Sequence, residues 1–358
     1  MHAFRIRSLI IRVDICAFLF HSIKQMNIIA PGIYTSLQLL VLVAIGYAAR
    51  KLNIIREGFS QTVSRFLVKI ALPVYFFASF SAVDLSVIVD GVWVLVAGVF
   101  IFSIGLAAGW LVFLVVPAER KEKRAGIAMA GMGNSGYMPL TILQLLPVSI
   151  PFMAERFHAK EAAVYVGVYL LLSSPLLWSV GNSLIARHEE KFSLSQVFSP
   201  PTIGILAGLL VPVLGIGGIF TDEALPLYYV MSSLNRLGAV IFPMILVTLG
   251  VMIGEITFHR TKARKLGVIA FGILFVRFVL LPGLFFLSYR FFLFRFSLPP
   301  AILLAVFLEA CTPPATNFSA MAVESGVNED VTAFTLLASY IAYILILPVY
   351  IMLFIGLF

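Results

Sequence analysis

Residues 131–140, GMGNSGYMPL, interrupt an otherwise apolar run with three glycines, an asparagine, a serine and a proline. The flanking sequences, GIAMA before this stretch and TILQLL after it, continue the apolar run on both sides. Glycine frees the backbone, while proline removes an N–H group and clashes with the preceding helical turn. The stretch therefore predicts a break in the middle of a helix.

The composition predicts that lipid surrounds most of this chain. Of its 358 residues, 61% are hydrophobic and 12% are charged, whereas soluble domains are about 45–50% apolar and about 25% charged. We attribute the net charge of +8 to loops at the membrane surface and expect no nucleic-acid partner. Cys16 and Cys311 are far apart in the sequence, and Cys311 falls in a predicted span, so we expect neither a disulfide framework nor a zinc site.

A helix needs about 20 mostly apolar residues to cross a bilayer, and by this criterion the sequence predicts ten spans. The loops between them are too short to hold a soluble domain. The fold class is therefore an all-α polytopic membrane protein. The predicted spans are residues 31–50, 61–82, 89–114, 124–146, 161–185, 201–219, 227–253, 266–288, 298–322 and 332–356.

Basic residues are concentrated in the loops on one side of these spans. The positive-inside rule places that side in the cytoplasm, and an even number of spans then puts both termini outside. We expect the cell (inner) membrane as the location. The basic residues concerned are Arg50, Lys51, Arg56, Arg120, Lys121, Lys123, Arg124, Arg187, Lys191, Arg260, Lys262, Arg264 and Lys265.

A second break, CTPPATN at residues 311–317, interrupts the ninth span as residues 133–139 interrupt the fourth. Pro73 and Pro243 likewise lie inside the second and seventh spans. Both pairs are offset by five spans, so the second half enters the membrane from the opposite side. We predict two inverted five-helix repeats, residues 27–188 and 189–358, whose discontinuous helices 4 and 9 meet at the midplane. Residues 1–26 form an N-terminal extension, unless translation starts at Met26 instead of Met1.

Four segments of the chain resemble the auxin efflux carrier family of transporters, in its bacterial type. They are GNSGYMPL (133–140), PPATNFSAMA (313–322), ALPVYFFASF (71–80) and IFPMILVTLG (241–250). The resemblance covers nearly all of residues 27–358. It implies a crossover of helices 4 and 9, alternating access, and an organic anion such as a mono- or dicarboxylate as the substrate. Partners would be this small anion and membrane lipid, and the sequence leaves open whether the chain forms a homodimer.

The two breaks supply the predicted substrate site. Half-helix N-termini carry free N–H groups and partial positive charge, which suit an anion. Arg277 lies inside a predicted span, and we expect it either to pair with a carboxylate or to serve as a structural partner of Glu309. The predicted substrate-binding residues are Asn134, Ser135, Tyr137, Pro139, Pro313, Pro314, Thr316, Asn317 and Arg277.

Glu309 is an acidic residue inside the ninth predicted span, one turn before the break. Ionisable residues inside a membrane are costly and mark functional sites. We predict that Glu309 binds a coupling ion, H⁺ or Na⁺, together with Asn134, Ser173 and Ser174; a permanently neutral structural carboxyl is the alternative. No other cofactor is expected, and no metal beyond Na⁺.

Two alternatives from other classes remain at this stage. A cross of half-helices can line an anion channel as well as a carrier. The sequence GNSG also matches the short pattern of intramembrane serine proteases, in which Ser135 would need a base. We expect the histidines in loops or in the N-terminal segment, out of reach of Ser135, and predict that the chain is not an enzyme. They are His2, His21, His158, His188 and His259.

Overall fold

The computed structural model describes residues 32–56, 58–186, 198–255, 263–291 and 293–358. Within these ranges the regular elements are all helices. The predicted N-terminal extension, the alternative start at Met26 and the predicted boundary between the repeats lie outside the described residues.

The helices are numbered here in chain order, leaving out the shortest ones. Their bounds are α1 Gly32–Lys51, α2 Phe59–Ser81, α3 Val92–Val115, α4 Arg120–Gly131, α5 Tyr137–Ser149, α6 Ala159–Ile185, α7 Pro200–Val213, α8 Pro226–Glu255, α9 Ala263–Phe291, α10 Pro300–Ala310, α11 Asn317–Ser325 and α12 Glu329–Gly356. Short helices at Leu85–Asp90, Pro151–Arg156 and Gly218–Thr221 and a 3₁₀ turn at Leu293–Arg295 lie between them. Turns of π-helix occur within α2 at Leu67–Ala71, α6 at Leu177–Gly181 and α9 at Val276–Leu280.

Among the described residues, seven helices are long and apolar enough to cross a membrane, namely α1, α2, α3, α6, α8, α9 and α12. Both predicted breaks are present, because α4 and α5 form one interrupted pair and α10 and α11 form the other. The sixth predicted span, 201–219, is too long: α7 ends at Val213, and Gly215 then adopts a φ of 70° that turns the chain out of the helix. The total of ten spans and the inverted repeat stay predictions.

Apolar side chains cover the outer surface of the helices. On α3, for example, Val99, Phe100, Trp110 and Leu114 are each at least half exposed. A contiguous apolar surface of this extent is unfavourable in water. The described helices are therefore built to face lipid.

One group of helices, α1, α2, α7 and α8, packs through glycines. A Cβ atom at Gly204 of α7 would lie 2.2 Å from the carbonyl oxygen of Pro73 in α2, and one at Gly250 of α8 would lie 2.0 Å from that of Val43 in α1. Small residues allow membrane helices to approach until their backbones touch. Since the hydrophobic effect does not drive helices together in lipid, van der Waals packing stabilises their association. We call these four helices the glycine-packed group.

The remaining helices pack around the two interrupted pairs. Contacts join α3 with α4, α6 with α5 and α10, and α9 and α11 with α12. The centre of this arrangement is α10, in which every residue from Ala301 to Ala310 is buried. We call α3–α6 and α9–α12 the crossover group.

The first interrupted pair is anchored at its start by charges. Glu119 and Glu122 form a capping box at the N-terminus of α4, and Lys265 of α9 binds both carboxylates, at 2.9 and 2.8 Å. Lys265 lowers the pKa of Glu119 through its hydrogen bond and its positive charge, and the charge of Lys121 lowers it further. These contacts fix the beginnings of α4 and α9 against each other.

The glycine contacts predict a clear difference between two Gly→Ala substitutions. Gly250→Ala places a Cβ atom against the backbone of Val43, so we expect a loss of about 1–3 kcal/mol through forced separation of α1 and α8. Thermal unfolding of the purified protein in detergent, followed by size-exclusion chromatography, measures the loss.

The matched control is Gly283→Ala in α9, where a Cβ atom would meet no other atom within 4 Å. Alanine is the better helix former, so the unfolding temperature of this variant should equal or exceed that of the parent. Equal unfolding temperatures for both variants would contradict the packing described for α1 and α8.

Candidate functional site

The first break begins after Gly131, where α4 ends, and closes at Tyr137, where α5 begins. Gly136 precedes α5 with a φ of 87°, a left-handed conformation that L side chains rarely adopt. A side chain at Gly133 would collide with Arg277 and Thr312. Gly136 is thus required by its backbone conformation, and Gly133 by the close approach of the Arg277 and Thr312 side chains.

The second break extends from Cys311, after the end of α10, to Thr316, before the start of α11. Pro313 and Pro314 lie within it. Proline cannot donate the N–H groups that would continue the helix. The break therefore leaves backbone carbonyls and the N-terminus of α11 free for other partners.

The two breaks bind each other through the backbone. The N–H of Asn134 donates to the carbonyl of Pro313 at 2.7 Å, and the N–H of Ala315 donates to the carbonyl of Met132 at 3.2 Å. Gly133 and Pro314 form an isolated antiparallel bridge between these bonds. Unwound backbone is tolerated at membrane depth only where protein or water satisfies it, and here each break satisfies the other.

Asn134 also connects this pairing to α12. Its side-chain N–H donates to the hydroxyl of Tyr340 at 2.5 Å, and that hydroxyl donates to the carbonyl of Pro314 at 3.3 Å. Asn134 is 5% exposed and Tyr340 1%. The amide of Asn134 therefore serves first to hold the crossed segments together.

Arg277 lies in the π turn of α9 and is 1% exposed. Its Nε and Nη2 atoms donate to the carbonyl of Thr312 at 2.8 and 2.6 Å, and Nη2 also donates to the hydroxyl of Thr312. That hydroxyl donates to the carbonyl of Glu309 at 3.0 Å. Arg277 thus binds the unwound backbone of the second break through Nε and Nη2, while Nη1 has no hydrogen-bond partner among the described residues.

Glu309 lies one turn before the second break and is 1% exposed. Neither of its carboxylate oxygens has a hydrogen-bond partner of ordinary geometry in the described part of the chain. The hydroxyl of Ser135 and the amide of Gly136, in the first break, face the carboxylate. This acid therefore lies directly behind the crossing point.

A cavity of about 70 Å³ lies beside the crossed segments. Several waters fit such a volume, since one water needs roughly 10–15 Å³. None of the described residues that line it carries a charge. They are Val68, Leu72, Phe102, Gly131, Met132, Gly133, Asn134, Ser135, Gly136, Tyr137, Tyr169, Leu170, Ser173, Ser174, Leu177, Trp178, Ser199, Pro201, Ala315 and Asn317.

The predicted site residues divide into two sets. Six of them line the cavity: Asn134, Ser135, Tyr137, Ser173, Ser174 and Asn317. The others lie outside its described lining: Pro139, Arg277, Glu309, Pro313, Pro314 and Thr316. The structure therefore brings the two breaks and α6 together at the cavity. The two predicted charged residues, Arg277 and Glu309, lie outside the described lining.

The sequence analysis predicted one aromatic residue of the lining, Tyr137, and missed the other three, Phe102, Tyr169 and Trp178. The sequence did contain a signal for α6, because Ser173, Ser174 and Pro175 interrupt its apolar run two residues before a π turn. Leu72 of α2 and Pro201 of α7 also line the cavity. Their place there depends on how the helices pack, which no local sequence pattern indicates.

The contacts of Arg277 predict a specific loss of stability. Arg277→Gln removes two donors from the buried carbonyl of Thr312, and an unsatisfied buried group costs about 1–3 kcal/mol. We expect a lower unfolding temperature in detergent, measured by the loss of the monodisperse peak on heating.

Arg236→Gln is the control, because Arg236 is also an arginine within a long apolar helix but its side chain is exposed. This variant should unfold like the parent protein. If both variants lost the same stability, the role assigned to the Thr312 carbonyl would be wrong.

The chain is similar to known membrane transport proteins. A family of membrane transport proteins matches residues 31–195 and 184–351. An uncharacterized transporter of Methanothermobacter thermautotrophicus is 24% identical over 322 residues, covering 88% of this chain and 96% of that protein. One from Methanocaldococcus jannaschii is 26% identical over 68% of this chain and 74% of its own. Protein PIN-LIKES 7 of Arabidopsis thaliana is 30% identical over 160 residues, covering 44% of this chain and 40% of that protein.

Proposed function

The chain belongs to the auxin efflux carrier family of membrane transport proteins, and from this premise we propose that it is a secondary active transporter of small organic monoanions. As a member of this family it is a multi-pass transport protein and not an enzyme. The observation that carries the proposal is the backbone pairing of two broken helices beside an uncharged cavity. The cell (inner) membrane, with both termini outside, is part of the same proposal.

The charge of the substrate follows from the two helix N-termini at the cavity. Tyr137 is the first residue of α5, Asn317 is the first residue of α11, and both line the cavity. Each helix N-terminus carries the equivalent of about half a positive charge. Gly131, the last residue of α4, brings the negative end of a third helix dipole to the same cavity, so the net positive charge is at most about one. The second charge of a dicarboxylate would therefore lack a partner in this cavity.

The position of the cavity supports alternating access. Leu72 of α2 and Pro201 of α7 belong to the glycine-packed group, whereas Asn134 and Tyr169 belong to the crossover group. The hydroxyls of Ser174 in α6 and Ser199 before α7 are hydrogen bonded at 3.1 Å between the two groups. Movement of one group against the other would break such a contact and open the cavity to one side at a time.

Glu309 is the proposed coupling residue, and we assign it a proton. The Glu309 carboxyl is buried and accepts no hydrogen bond of ordinary geometry from the described residues. Its ionised form is costly in such a place, which is why we assign it the proton. Among the other predicted ligands, Ser174 is hydrogen bonded to Ser199, and Asn134 uses its side-chain N–H group to bind Tyr340. The hydroxyl of Ser173 has no hydrogen-bond partner among the described residues. Na⁺ therefore stays the alternative coupling ion, and the gradient experiment below separates it from H⁺.

The proposed coupling predicts different effects on net transport and on exchange. With Glu309→Gln in proteoliposomes, we expect proton-gradient-driven uptake of labelled benzoate to fall at least about tenfold, because glutamine cannot release a proton. Exchange of internal for external benzoate, which needs no net proton movement, should remain.

Glu324→Gln, at an exposed position on α11, is the matched control and should leave both activities unchanged. A sodium gradient replaces the proton gradient in a parallel set of vesicles. Undiminished gradient-driven uptake by Glu309→Gln, or uptake driven by sodium alone, would refute proton coupling through Glu309.

The charge argument has its own test in the parent protein. We expect saturable uptake of benzoate or butyrate and at least about tenfold slower uptake of malonate, whose second carboxylate lacks a partner among helix dipoles of this size. Faster transport of malonate or malate would contradict the monoanion assignment. Ionic currents in the absence of exchange between internal and external substrate would show that the protein is a channel and not a carrier.

A further inference from the structure

Trp178 belongs to the cavity wall and lies in the π turn of α6. Pro175 has no N–H to donate to the preceding turn, and the hydroxyl of Ser179 donates to the carbonyl of Pro175 at 2.6 Å. The π turn follows at Leu177–Gly181. Single π turns inside α-helices are frequent at functional sites, and here the first two residues of the turn, Leu177 and Trp178, line the cavity.

Both crossed segments hold this π turn in place. A Cβ atom at Gly181 would lie 2.8 Å from the sulfur of Met132 in the first break and 3.2 Å from the ring of Phe318 in α11. Met132 and Phe318 are both buried. The position of Trp178 is therefore fixed relative to the two helix N-termini of the cavity.

The cavity lining has distinct polar and apolar parts. The amides and hydroxyl of Asn134, Ser135 and Asn317 belong to the crossed segments. Phe102 and Trp178 come from α3 and α6 and supply large rings. A ligand that places its charge at the helix N-termini would therefore turn its uncharged body toward these rings.

We propose that Trp178 is a specificity-determining residue, whose indole ring contacts the apolar body of the bound monoanion and favours a planar ring over a flexible alkyl chain. This inference rests on the proposed function. Aromatic rings supply rigid contact surface and prefer stacked or edge-to-face partners. In this assignment the crossed segments recognise the carboxylate, and Trp178 recognises what is attached to it.

The tryptophans of this chain allow a direct binding test. The sequence has three, and the other two, Trp93 and Trp110, are 49% and 55% exposed on the outer surface of α3. The double variant Trp93→Phe/Trp110→Phe leaves Trp178 as the single indole. The probe is 4-nitrobenzoate, a planar monoanion whose nitro group quenches indole fluorescence on contact.

We expect saturable quenching in the double variant, reversed by an excess of benzoate. The control is Trp178→Phe, which keeps Trp93 and Trp110 and reports any quenching by probe dissolved in the bilayer. That control should show a linear, non-saturable response. Saturable quenching in Trp178→Phe, or none in the double variant, would overturn the placement of Trp178 against the ligand.

Transport selectivity gives the second readout. In proteoliposomes, Trp178→Ala should lower the preference for benzoate over butyrate about tenfold, the size of effect that pocket contacts typically produce. Trp178→Phe, which keeps an aromatic ring, should retain most of that preference. A structural role alone would slow both substrates equally and leave their ratio unchanged, which would contradict the proposal.

The two proposals fail in different ways. If the parent protein transports benzoate but Trp178 is not quenched and the selectivity ratio does not change, the role of Trp178 is wrong and the proposed function stands. If the parent protein transports none of the monoanions yet Trp178 shows saturable quenching, the binding role of Trp178 is supported and the transport assignment fails.

Discussion

The hydrogen bonds between the two breaks are the interaction on which this structure depends. In lipid, an unwound segment with unpaired N–H and C=O groups costs several kcal/mol for each group. Asn134 and Ala315 donate to carbonyls of the opposite break, so each break satisfies backbone groups that the other leaves unpaired. This mutual requirement forces the interrupted helices to cross at one point, and it brings the N-termini of α5 and α11 to the same cavity.

The buried charge of Arg277 follows from the same constraint. An arginine at this depth is expensive, and its donors must find acceptors nearby. The unwound carbonyl of Thr312 provides one, at 2.6 and 2.8 Å from two guanidinium nitrogens. The break thus binds two of the guanidinium nitrogens, while Nη1 has no hydrogen-bond partner among the described residues. The arginine in turn satisfies a carbonyl that no helical N–H reaches. Gly133 is small because this guanidinium lies against it.

Sequence alone predicted the features that local backbone chemistry determines. The breaks follow from glycine and proline, and the long helices follow from apolar runs of sufficient length. The end of α7 at Val213 was missed because it depends on the backbone conformation of Gly215. The partner of Arg277 was not predictable either, because it is a backbone carbonyl 35 residues away. The presence of Trp178 in the cavity wall was not predictable, because it depends on how α6 packs on both breaks and no single segment of the sequence shows this packing.

The absence of charged side chains among the described residues of the cavity wall has a consequence for transport. A buried ion pair between an arginine and a substrate carboxylate would have to be broken each time the substrate leaves, and breaking such pairs costs several kcal/mol. Helix dipoles give a weaker and more diffuse attraction, which allows release as well as capture. Arg277 and Glu309 both lie outside the described lining. In the proposed mechanism, Glu309 acts on the cavity from behind the crossed segments, where its proton would change the field at the site without an ionic hold on the substrate.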